Sequence, residues 1–261
     1  MLPREHGSWA MLAAPAAVGW AAAGGGPAGA GALFSAALLG AFLSRTPVTA
    51  LCSDARDARA LRWLAAYGAL GAAGLAGLLG VYGRWGLLWL ALPGAAVFVA
   101  SLWFTLRRKA MTEPHELLGV AGLSLGAPGA AFAATGAWSA DSLWLWALCA
   151  LFFSGPVYHV KMLVAGKLAS VPSPAPGALE RGERAAGQSA AFHLATAGLV
   201  AGGVAWGGLP AAALIPFLGA LGKTLYYGSR RGGRLELKKV GWQEVAWTAV
   251  FVVVSAAGFR G

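Results

Sequence analysis

Leu51-Cys-Ser-Asp-Ala-Arg-Asp-Ala-Arg-Ala-Leu-Arg62 is a charged island between two long apolar runs, and its reading decides the fold. It packs Asp54 and Asp57 among Arg56, Arg59 and Arg62. The runs on either side read as membrane-spanning helices, because about 20 apolar residues rising 1.5 Å each cover the hydrocarbon core of a bilayer. The island is then a loop at the membrane surface. Asp54 and Asp57 stand three apart, so on a continuing helix they would share a face and grip one cation or one polar head group. Carboxylates beside a bilayer are costly unless something uses or neutralises them. The competing reading is a solvated loop whose arginines obey the positive-inside rule.

The whole chain repeats this alternation. Of its 261 residues 58% are hydrophobic and 11% charged, against roughly 25% charged in a soluble domain. Mean hydropathy is +0.64. A soluble protein of this length needs more polar surface than that, so the composition specifies an all-α polytopic membrane protein. The net charge of +10 would suggest nucleic acid in a soluble chain; here basic loops at a membrane surface account for it, and no nucleic-acid partner is expected. Cys52 and Cys149 are far apart and offer neither a disulfide framework nor a CxxC metal pattern. Abundant Gly and Ala suit helices that approach closely in lipid.

Nine spans are expected, at about 10–23, 32–51, 61–82, 87–104, 117–138, 143–164, 190–206, 209–227 and 245–259, in a single membrane domain over residues 1–261. The first run reads as a transmembrane helix and not a signal peptide, since Glu5 and His6 accompany only one arginine before it. Pro47 is expected to kink the second helix near its end. The polar stretch 165–187, with Pro172, Pro174 and Pro176, reads as a loop with at most a short interfacial helix. Lys223 is expected to snorkel to the interface. With the N-terminus inside, 18 of the 20 basic residues fall on the inner side, leaving Arg84 and Arg260 outside. That asymmetry orients the chain N inside and C outside.

Three inner stretches carry candidate chemistry. The first holds Asp54 and Asp57. The second holds Glu113, His115 and Glu116, which suit a hard cation but also suit the start of a helix, with Thr112 or Glu113 as its cap. The third holds Tyr158, His159 and Lys161, placed to meet an anionic head group or diphosphate; snorkelling at the interface is the alternative. His193, inside the seventh span, reads as an interhelical hydrogen-bond partner ahead of a ligand.

The opening Pro3-Arg4-Glu5-His6-Gly7-Ser8-Trp9-Ala10-Met11 resembles the start of the YwiC-like family of bacterial membrane proteins, and Lys239-Val-Gly-Trp-Gln-Glu-Val-Ala-Trp247 resembles that family's last helix. This resemblance implies a multi-pass protein of the bacterial cytoplasmic (inner) membrane. The architecture also resembles UbiA-type intramembrane prenyltransferases, which have nine helices and two aspartate-rich motifs that hold magnesium against an isoprenyl diphosphate. Ser53-Asp54-Ala-Arg-Asp57 matches two carboxylates of the first motif. Ser53 stands for its Asn and Leu61 for its last Asp. The second motif is missing, because no carboxylate follows helix six before Glu180.

Two functions follow from these readings. One is a transferase acting on an isoprenyl diphosphate and a lipophilic acceptor, with Mg2+ on Asp54 and Asp57 and with Arg56, Arg59, His159 and Lys161 binding substrate. The other is a non-catalytic protein that binds or transports a small lipid, quinone or porphyrin-like molecule. In either case the inner ends of helices two and six are expected to enclose one site. Reporter fusions test the orientation: a cytoplasmic signal is expected after Arg108 and an external one at Gly261, and the reverse at either position contradicts it.

Overall fold

The computed structural model describes residues 2, 6–107, 109, 112–229 and 237–259. Among them the regular structure is entirely helical: α1 His6–Ala22, α2 Ala28–Ser53, α3 Ala58–Gly80, α4 Leu88–Leu106, α5 Glu113–Ser124, α6 Gly126–Thr135, α7 Asp141–Ala169, α8 Ala178–Ala205, α9 Leu214–Ser229 and α10 Leu237–Gly258. Only Leu125 separates α5 from α6, so this pair serves as one rod. Every expected span coincides with a helix. Among the described residues, six stretches are long and apolar enough to cross a membrane: α2, α3, Trp85–Leu106, Glu113–Thr135, α7 and Lys239–Gly258. The protein is therefore an integral membrane protein. Helices α1 and α9 are shorter, at 17 and 16 residues, and α8 carries Glu180, Arg181, Glu183 and Arg184 in its first two turns.

The chain divides into two compact units, with the boundary inside α7 at Cys149. In the first, α2 and α3 form an antiparallel hairpin with almost no side chain between their backbones. A Cβ on Gly40 would strike the backbone of Gly71, and one on Gly74 would strike the backbone of Leu33 and Ala37. Such contact brings helices together through dispersion, because lipid supplies no hydrophobic drive between them. Helices α1 and α6 meet the same way, where Gly19 faces the Ala127 carbonyl. The α6 end is closed by Arg84, whose guanidinium donates to the carbonyls of Ala133 and Ala134, both at 3.1 Å. Those carbonyls have no partner within the helix, so a cation is well placed there.

In the second unit Phe152 of α7 stacks on Phe251 of α10, with ring centroids 4.0 Å apart, and Phe153 and Phe217 meet them edge-on. Met162, Leu163 and Val240 form a further apolar contact between α7 and α10.

One local expectation changes. The polar stretch 165–187 is mostly helical, because α7 runs on to Ala169 and α8 begins at Ala178. The three prolines are confined to the short link, whereas Ala178-Leu-Glu-Arg-Gly-Glu-Arg184 is mostly good helix former. Helix α2 continues through a buried Pro47 to Ser53 and then stops.

Candidate functional site

The helix break at residues 54–57 gives Asp54 and Asp57 separate jobs. Asp54 ends α2: its N–H bonds to the Ala50 carbonyl at 2.9 Å, and its Oδ1 accepts the Arg56 N–H at 3.0 Å. Asp57 is the N-cap of α3, its Oδ1 accepting the N–H groups of Arg59 at 2.9 Å and Ala60 at 3.0 Å. The two do not share a helical face, because no helix runs through them. The groups they bond are backbone amides, not the guanidinium groups of Arg56 and Arg59, and both arginines are exposed. Among the described residues no three His, Cys, Asp or Glu side chains come together as a metal would require.

The start of α5 follows the capping alternative in part. Glu113 and Glu116 lie in its first turn, where they complement the helix dipole. The Thr112 hydroxyl donates to the Lys109 carbonyl at 2.7 Å and does not cap the helix. His115 is buried and joins α5 to α4 through Ser101 Oγ, 3.0 Å from its Nε2.

The third candidate stretch separates. Tyr158 stacks on Phe192 of α8 at 4.3 Å between centroids. His159 is 1% exposed and faces α9, with its Nδ1 3.2 Å from Thr224 Oγ1. Lys161 is two residues on, so it leaves α7 on another side, half-buried. Thr224 Oγ1 also lies 3.5 Å from His193 Nδ1, and that nitrogen sits 2.7 Å from the Ser189 carbonyl. A carbonyl only accepts, so Nδ1 of His193 carries the hydrogen and Nε2 of the neutral ring is an acceptor. Three buried polar side chains from α7, α8 and α9 thus meet in an otherwise apolar interior.

Beside this cluster lies an ion pair that sequence reading missed. Lys223 Nζ of α9 donates to Glu244 Oε1 of α10 at 2.5 Å, with the side chains 16% and 19% exposed. Lys223 was expected at the interface; the carboxylate of Glu244 holds it inside instead. Lys223 lies six residues before the end of α9 and Glu244 seven after the start of α10, so both sit about 10 Å in from their helix ends. That symmetry about the basic stretch Arg230–Lys239 was the available sequence signal.

The ion pair and His193 line a narrow, partly open cleft with room, as it stands, for about one water molecule. Aromatic rings of Phe152, Phe192, Phe217 and Trp247 form most of its wall. Gly155 leaves room for the Nε2 edge of His193, and Gly219 leaves room for the Trp247 indole. All the residues of this cleft belong to the second unit.

A family model described as YwiC-like protein matches residues 2–131, which lie in the first unit. No curated protein and no solved structure matches the chain.

The ion pair generates a test of its own. Removing one charge leaves the other in a low-dielectric site, at a cost of roughly 3 kcal/mol, whereas removing both leaves a neutral contact. Glu244→Gln is therefore expected to lower the thermal midpoint of the purified protein well below that of Glu244→Gln combined with Lys223→Met. Equal loss in the single and double variants would show that the pair is not held as a unit.

Proposed function

The chain belongs to the YwiC-like family, and from that footing we propose that it binds or carries a small, uncharged lipophilic molecule in the cleft of its second unit. In this reading it is a non-catalytic, multi-pass protein of the bacterial cytoplasmic membrane. Helices α1, α8 and α9 complete nine crossings, with the N-terminus inside and the C-terminus outside, as the distribution of basic residues favours.

One observation carries the choice of ligand: among the described residues that line the cleft, the charges of Lys223 and Glu244 cancel. Lys223 is neutralised by Glu244 at 2.5 Å, so a diphosphate would have to compete with a carboxylate already in place. A neutral molecule leaves the ion pair intact, and the four aromatic rings give it surface to bury once they part to admit it.

The transferase reading puts magnesium on Asp54 and Asp57, with Arg56, Arg59, His159 and Lys161 receiving the diphosphate. As placed, the two carboxylates do not fit that cation. Each spends an oxygen on a backbone amide of the turn or helix, and no third carboxylate joins them among the described residues. A hard divalent cation takes about six oxygens, and diphosphate clamps add further carboxylates to balance its charge.

Binding in lipid nanodiscs separates the two. Farnesol is expected to bind with no dependence on magnesium, and farnesyl diphosphate to show no magnesium-dependent affinity. Asp57→Asn, which keeps a good N-cap, is expected to leave farnesol binding unchanged. Magnesium-dependent diphosphate binding that this substitution abolishes would replace the proposal with the transferase.

A further inference from the structure

Unspent hydrogen-bonding groups from three helices share the small space of the cleft. His193 is 3% exposed, and its Nδ1–H is given to the Ser189 carbonyl at 2.7 Å, which leaves Nε2 as an acceptor. No group among the described residues donates to that nitrogen. It lies beside Gly155, where a Cβ would stand 3.1 Å from it, and both residues line the cleft. Lys223 Nζ gives one hydrogen to Glu244 Oε1 and has others to offer, while the second oxygen of Glu244 still accepts. Thr196 donates its hydroxyl hydrogen to the His193 carbonyl at 3.1 Å, so towards the cleft its oxygen only accepts.

One cationic donor and several acceptors around room for about one water are matched to that molecule, because a buried water makes about three hydrogen bonds. We propose that the cleft, in its closed form, is the binding site of one ordered water that bridges the Lys223–Glu244 pair to His193. The water accepts from Lys223 Nζ and donates one hydrogen to His193 Nε2 and the other to Glu244. His193 already reaches Thr224 of α9, and Thr224 reaches His159 of α7. The bridge therefore joins two polar clusters into one network through α7, α8, α9 and α10. It also keeps some hydration on the ion pair, which lowers the cost of holding two charges away from bulk water. His159 supplies the contrast. It is 1% exposed, does not line the cleft, and has its Nε2 closed off. Water binding at this site needs no lipophile.

Full-length protein in sedimented nanodiscs, with isotope-labelled histidine nitrogens, is examined by water-edited solid-state NMR, which passes magnetisation from water to nearby imidazole rings. His193 is assigned from the signal that His193→Asn removes, and His159 likewise from His159→Asn. In the unsubstituted protein His193 is expected to receive magnetisation from water, with Nε2 at the frequency of a hydrogen-bonded acceptor, while His159 receives none. Lys223→Met combined with Glu244→Leu removes the groups that hold the water, and is expected to abolish the transfer to His193 and return Nε2 to the frequency of an unbonded acceptor. His159 reports misfolding in the same sample, because a loosened interior wets both rings. A double variant that wets His159 has lost its packing, and the contrast between the two rings in the unsubstituted protein then decides alone. No transfer to His193 in that protein, or transfer to His159 as fast as to His193, would overturn the proposal. So would a packed double variant in which His193 keeps both its transfer and its Nε2 frequency.

Discussion

A polar group carried into a bilayer has no bulk water to bond, so it must bring its partner with it or be matched by one on a neighbouring helix. This constraint explains most of the polar contacts in the protein. Lys223 is matched by Glu244 and Ser101 by His115. Each contact joins two elements that apolar burial alone would hold only loosely, because lipid is as apolar as the helices themselves. Where a buried donor stays unmatched, as at Trp247 Nε1, the chain departs from the rule beside its cleft.

The two units meet the constraint differently. In the first, small residues let backbones touch: Gly40 against Gly71 and Gly74 against Leu33 and Ala37 make α2 and α3 nearly one object. Such packing leaves little space for a ligand. In the second, large rings and paired polar side chains fill the interior. Phe152 stacked on Phe251 packs densely, but four helices bearing His159, His193, Thr224 and the ion pair cannot close as tightly. The cleft lies there, within residues 150–259.

Much of the fold was legible in the sequence because apolar runs are long and loops are short. All nine expected spans fall on helices. What misled was local. Three prolines made 165–187 read as a loop with at most a short helix, although they occupy only the link between α7 and α8. The spacing of Asp54 and Asp57 suggested a shared face, but Asp is a strong N-cap residue and ends helices as readily as it decorates them. The site was less legible. His159 was found, and it contacts Thr224 across helices. Lys223 and Glu244 were both noticed and never joined, because pairing depends on α9 and α10 folding back from the same loop. The orphan donor of Trp247 depends on what surrounds a single nitrogen, which no sequence period reports.

The central claim is that an uncharged lipophile occupies the cleft of the second unit. Photo-crosslinking with a diazirine-bearing farnesol analogue, followed by peptide mapping, tests it most directly. The account predicts labels within residues 151–156, 192–196, 217–223 and 244–247, competed by unlabelled farnesol. Labels confined to residues 53–62, or spread evenly over lipid-facing surfaces without competition, would contradict it.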